Sequence, residues 1–266
     1  MPFDPSSLFD VRDKVAVVTG AGGGIGAALT HGFAALGAKV LAVDIAEPSQ
    51  LPENAFYHRA DLRDRTAIPA IAGAAQERFG RIDILVNNAG VVGRARAEEM
   101  LAADWDNTLS INLTGTFQLS QAVGRIMIAQ RSGKIVNVSS RCGFVGIPFI
   151  SAYNVSKAGI VALTQTLAIE WSLYNVQVNT VVPGFVRTKM NERWLADPVS
   201  EALYARKIPL GRISEPEDLL GAVIFLSSAA SDYVTGATLF VDGGNYASGG
   251  VGAEARDHGL KQMQGN

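Results

Sequence analysis

The 266-residue chain is poor in cysteine, histidine and charge, and each shortage closes off a class of protein. Cys142 is the one cysteine, so no intrachain disulfide holds the fold, and a reducing compartment, the cytoplasm, is expected. His31, His58 and His258 are scattered without metal-ligand spacing, so no metal centre is expected. Lys and Arg number 23 against 25 Asp and Glu, a formal net charge of −2. That balance removes the main electrostatic reason for a nucleic-acid partner. No apolar run approaches the roughly 20 residues that span a bilayer. The amino-terminal MPFDPSSLFDVRDK is acidic, broken by Pro2 and Pro5, and lacks the basic-then-apolar order of a secretory signal. A protein without membrane or nucleic-acid partners is expected.

Charged residues make up 18% and apolar residues 48%, too apolar for a disordered chain and ample for one sizeable core. The low charge also hints that other subunits cover part of the surface. Short, β-branched runs alternate with segments of helical periodicity. Strands are expected at 15–19, 39–44, 56–59, 82–87, 134–139, 176–182 and 238–242. Helices are expected at 25–37, 66–79, 152–171 and 216–226, with two more over 98–130 separated by a break near 113–115. A polar, irregular stretch covers 187–212, and the tail from 246 to 266 reads as loose. No linker divides the series. The pattern predicts a single α/β domain, a Rossmann-type doubly wound parallel sheet of about seven strands with helices on both faces.

The segment TGAGGGIG, 19–26, joins the first strand to the first helix. Glycines there permit positive φ and close backbone approach, and the following helix aims free N–H groups at whatever binds. A tight strand-to-helix turn would need no more than this. Asp44, ending the next strand about 20 residues on, matches the further requirement of a dinucleotide site: a carboxylate for the ribose 2′-hydroxyl. The same carboxylate would repel a 2′-phosphate, and 20–26 hold no Arg or Lys to receive one, so NAD is expected over NADP.

Tyr153 and Lys157 are four residues apart on the 152–171 helix, hence on one face. A free tyrosine has pKa about 10; an ammonium beside it would favour the phenolate and make Tyr153 a usable general acid/base. A surface Tyr–Lys pair is the plainer alternative. Ser140 ends the fifth strand, where ligands gather in such sheets, though a turn or cap serine would read the same.

Taken together, Thr19–Gly20-x-x-x-Gly24-x-Gly26, Asn87–Asn88–Ala89–Gly90, Ser140, Tyr153-x-x-x-Lys157 and Pro183–Gly184 resemble, in order and spacing, the motif set of the classical short-chain dehydrogenase/reductase family. The resemblance covers about 12–245. It implies that Tyr153 is the acid/base, that Lys157 lowers its pKa and binds the nicotinamide ribose, and that Ser140, rather than Ser139, holds the substrate oxygen. Asn112, in SINLTG, resembles the asparagine that holds a proton-relay water beside the lysine. Gly20, Gly23, Gly24, Ile25, Gly26, Asp44 and Ile45 would bind the adenosine and pyrophosphate side of the cofactor. Asp61 and Leu62 would flank the adenine, and Asn88, Ala89 and Gly90 would line the middle. Pro183, Gly184, Val186 and Thr188 would meet the nicotinamide. The stretch 187–212 resembles the family's variable substrate lid.

The implied activity is hydride transfer between NAD and a secondary alcohol or its ketone. A 3-oxoacyl or other ketone reductase of the same family, and a non-catalytic dinucleotide sensor, are the alternatives. Arg94 and Arg96 follow the Asn-Asn-Ala-Gly motif, Arg141 follows Ser140, and Lys189, Asn191, Arg193 and Trp194 open the lid. Arginine forks suit carboxylate, sulfonate or phosphate, so a polyol, sugar or hydroxy acid with an anionic group fits. Alternatively these arginines are solvated or pair with Glu98, Glu99 or Glu192. The 152–171 helix is apolar on more than one face, through Val155, Ala158, Ile160, Val161, Leu163, Leu167 and Ile169. The family resemblance implies a homotetramer packing that helix and the one before the fifth strand across a twofold axis.

Overall fold

The computed structural model describes residues 5–249, so most of the expected 246–266 tail and His258 lie outside the described residues. Seven strands form one all-parallel sheet in the order β3-β2-β1-β4-β5-β6-β7. They are β1 Val15–Thr19, β2 Lys39–Asp44, β3 Ala55–Arg59, β4 Ile84–Asn87, β5 Gly133–Val138, β6 Val176–Pro183 and β7 Thr238–Val241. The helices are α1 Gly24–Ala35, α2 Ala67–Phe79, α3 Ala102–Leu109, α4 Thr116–Gln130, α5 Ser151–Trp171, α6 Glu192–Leu195, α7 Pro198–Arg206 and α8 Leu220–Ser227.

Two apolar layers clamp the sheet. Ala16 and Val18 of β1 face one layer with Leu29 and Phe33 of α1 and Val223 and Ile224 of α8. Val17, pointing the other way, joins Ile68 and Ile71 of α2, Leu119, Val123 and Met127 of α4, and Leu167 of α5. Successive strand residues alternate faces, so one buried strand feeds both cores. The chain reverses its winding between β1 and β4, and the crevice beyond the carboxyl ends of those strands is where such sheets bind ligands.

Several expected boundaries change. The fourth strand starts at Ile84, not 82, because the Ile82 backbone is satisfied by the Gln130 side chain and Asp83 Oδ2 accepts the Val15 N–H. The expected break near 113–115 is a π turn, Ser110–Gly115, running without interruption from α3 into α4. The 187–212 stretch, expected to be irregular, is helical in part: Asp197 caps α7 through Val199 N–H and Ser200 N–H, with Pro198 in the first turn. Pro216–Leu219 forms a 3-10 turn before α8 begins. Among the described residues, no helix is long and apolar enough to cross a membrane.

Candidate active site

A cleft of about 300 Å³ opens over the winding reversal, with Asp44 at one end, Gly20, Gly23 and Gly24 in the middle, and Ser140, Tyr153 and Lys157 at the other. Gly20 and Gly24 hold φ of +69° and +52°, in the left-handed region that favours glycine. Gly26 is fixed by contact: a Cβ there would stand 2.0 Å from Gly20 O. No side chain caps the start of α1, which leaves its first N–H groups free for an anion. Asp44 Oδ2 accepts the Gly22 N–H at 2.8 Å and Oδ1 the Ala46 N–H at 3.2 Å, so the carboxylate braces the loop.

The middle of the cleft is stitched to β1. Thr19 Oγ1 accepts the N–H groups of Asn88 and Ala89 at 3.0 and 3.1 Å, and Asn88 Nδ2 donates to Thr19 O at 3.0 Å. The buried Asn112 spends its whole amide on protein. Oδ1 accepts Val91 N–H, while Nδ2 donates to Val91 O and to Ser156 Oγ. Ser156 Oγ in turn donates to Tyr153 O at 2.8 Å, tying the π turn to the first turn of α5.

At the far end Ser140 is both cap and cleft residue: its Oγ accepts the Cys142 N–H at 3.2 Å, starting a 3-10 turn over Arg141–Gly143. Ser139 Oγ is committed to Lys157 O at 2.7 Å, which separates the two serines. Lys157 Nζ donates to Val138 O at 2.8 Å and lies 5.6 Å from the centre of the Tyr153 ring. Burial lowers Lys157 to about 8. Tyr153 is pushed up to about 12, chiefly by burial and further by Cys142, while a hydrogen bond with Ser140 and the charge of Arg94 pull the other way. Burial dominates at Tyr153, and the Lys157 ammonium is not among the groups that lower it. Both groups pay for charge in the same buried corner, and the ammonium is turned to a carbonyl.

Ile25, Asn88, Ala89, Gly90, Pro183, Gly184, Val186, Thr188 and Asn191 also line the cleft, joined by Val138, Ser139, Lys189 and Met190. Gly26 and Asn112 lie behind its wall. Ile45 is 60% exposed, Leu62 is buried in the second apolar layer, and Asp61 grips Arg63 through both carboxylate oxygens, so these three do not line it. Arg96 leans on Glu98 and Glu99, and Arg187 pairs with Glu201 and Glu215. Arg94 instead lies over the Trp194 ring, 5.6 Å from its centre.

Residues 20–245 match a family model described as enoyl-(acyl carrier protein) reductase. A 2-dehydro-3-deoxy-D-gluconate 5-dehydrogenase from Escherichia coli is 40% identical over 246 residues, 90% of this chain and 97% of that protein. The chain belongs to the short-chain dehydrogenase/reductase family. A second member, a D-threitol dehydrogenase from Mycolicibacterium smegmatis, is 42% identical over 89% of this chain and 95% of its own length. A solved member, gluconate 5-dehydrogenase from Burkholderia cenocepacia in complex with NADP and tartrate, superposes with a TM-score of 0.85. It is 34% identical and covers 91% of this chain and 98% of its own. This short-chain dehydrogenase/reductase is thus an oxidoreductase that binds a nicotinamide dinucleotide and acts on secondary alcohols.

Proposed function

We propose that the protein is an NAD-dependent dehydrogenase of a polyhydroxylated substrate, a sugar, polyol or hydroxy acid. The observation that carries this is the cleft itself: Asp44 at one end, an uncapped helix start in the middle, and Ser140, Tyr153 and Lys157 converging at the other. The names of relatives, a deoxyketogluconate and a threitol dehydrogenase, and the tartrate bound to a neighbour support the substrate class.

Asp44 would take the ribose 2′-hydroxyl and repel a 2′-phosphate, which favours NAD although a neighbour carries NADP. A bound nicotinamide would exchange hydride with the carbinol carbon and, when oxidised, adds positive charge. Ser140 Oγ holds the substrate oxygen, and Tyr153 Oη gives or takes its proton. As a phenol held near 12, Tyr153 stands ready to protonate a carbonyl; added positive charge in the cleft favours the phenolate that oxidation requires. Lys157 binds the ribose, and Asn112 holds the α5 turn through Ser156.

The assembly in this reading is a homotetramer. Phe117 of α4 and Val155 and Ile169 of α5 are 40%, 47% and 77% exposed, apolar surface that a twofold helix pairing would cover. A screen of NADH formation over sugars, polyols, hydroxy acids and their phosphate and sulfonate forms tests the activity. Turnover with NADP equal to that with NAD, or a monomer by light scattering, would overturn the corresponding part.

A further inference from the structure

Around the mouth of the cleft, charge is unevenly settled. Arg96 and Arg187 each have a carboxylate within ion-pair distance. Arg94 has none among the described residues, and yet its position is held. Its backbone is tied on one side, where Ala95 N–H donates to Phe149 O at 3.0 Å, and on the other Gly93 packs close to Thr108, where a Cβ would stand 3.2 Å from Oγ1. Phe149 lies two residues before α5, so the Arg94 loop is registered against the helix that carries Tyr153. The guanidinium rests on Trp194 of α6, one turn after Asn191, which lines the cleft. Its charge reaches Tyr153, pulling against the burial that holds the phenol protonated. A planar, unpaired cation held at this point is a fork for a planar anion.

We propose that Arg94, lying over the Trp194 ring, is the receptor for a carboxylate carried by the substrate, so that hydroxy acids are preferred over the neutral polyols of equal length. This rests on the reading of the cleft as a secondary-alcohol site and narrows its substrate class. Neutral polyols would leave the guanidinium to water and gain nothing from it. A hydroxy acid exchanges water for a charge-assisted, two-pronged contact, and that difference sets the preference.

The test has two arms. The first compares kcat/KM for aldonates of four to six carbons with the matching alditols. The wild-type protein is expected to favour the acids, and Arg94→Gln to lower the acid-to-polyol ratio at least about tenfold, mainly through the KM of the acid. Arg94→Lys restores part of the ratio, and Trp194→Leu lowers it about two- to fivefold through loss of the ring beneath the guanidinium. An unchanged ratio in Arg94→Gln overturns the assignment. The second arm needs no turnover: calorimetry of malonate, which carries carboxylates and no carbinol, binding to the protein with NAD. Arg94→Gln should weaken it about tenfold. Absence of malonate binding, or its loss in Arg141→Gln with retention in Arg94→Gln, overturns the proposal. Malonate binding without oxidation of any alcohol would instead leave Arg94 as an anion site and overturn only the dehydrogenase reading.

Discussion

Along the β1 side of the cleft, strand-end side chains that accept loop N–H groups fix the geometry. Asp44 takes the N–H groups of Gly22 and Ala46, and Thr19 takes those of Asn88 and Ala89. Across the cleft, the groups that would meet a substrate project from loops and short helices: Arg94, Lys189, Met190 and Trp194 are all exposed. The first wall hangs from side chains at the carboxyl ends of β1 and β2, strands buried in the sheet. The second is joined by side-chain contacts that can be exchanged singly. A fold built this way keeps one cofactor and changes substrates by altering the lid.

The largest effect that would sharpen this contrast is expected at Tyr153. Tyr153→Phe removes the proton path and nearly preserves ring volume, so kcat should fall by about 10²–10⁴-fold. NAD affinity, set by the glycine loop, Asp44 and Lys157, should hold. A variant that binds NAD normally and turns over at more than about a tenth of the wild-type rate would break the assignment.

Lys157 comes next, read through stability rather than rate. Its folded value of about 8 lies below the ordinary 10.5. Below pH 8 the folded state carries a buried charge; between about 8 and 10.5 it binds fewer protons than the unfolded chain, so stability rises with pH. At about 1.4 kcal/mol per pH unit the penalty is up to about 3 kcal/mol. Lys157→Met should therefore be more stable than wild type at pH 7 and lose that advantage by about pH 10.5, while binding NAD more weakly. Lys134, also lowered by burial, titrates in both proteins and cancels in the comparison. Denaturant melts at several pH values check this, and a gap constant with pH would refute it.

A smaller effect belongs to Asp44. The wild-type protein should prefer NAD over NADP by at least about tenfold in kcat/KM, about 1.4 kcal/mol, and Asp44→Ala should narrow the gap. The smallest lies in the lid. Glu201→Gln breaks an exposed ion pair with Arg187, and its cost in a denaturant melt should stay under about 1 kcal/mol. A larger loss would mean that the lid is as firmly built as the opposite wall.

The same contrast governed what could be read from the amino acids alone. Buried parallel strands are short β-branched runs between glycines, and such runs placed all seven strands to within two residues. The glycine loop, Asp44 and the Tyr153–Lys157 spacing depend on neighbours in sequence and so were legible. The state of Tyr153 was not, because its burial exists only once the walls are assembled. The π turn was hidden since Asn112 gains its partners, Val91 and Ser156, from distant segments. Helix α7 had a local signal, Asp197–Pro198 with Glu201 in the first turn, which the polar composition of 187–212 masked. The placement of Arg94 over Trp194 joins residues 100 positions apart, beyond the reach of any periodicity.

The pairing of β1 with β4 has a consequence for how the chain reaches this state. Ala16 pairs with Ile84, and Val15 N–H meets Asp83 Oδ2 across 68 residues. Closing a loop of that size costs entropy before the ladder repays it. Strands β1, β2 and β3 find each other over shorter spans, so on a growing chain they can pair first, with one edge of β1 still open. The crevice for the cofactor comes into being only when β4 docks on that edge. A nascent chain therefore acquires its ligand late, and the open edge of β1 is the stretch most in need of protection from other chains during synthesis.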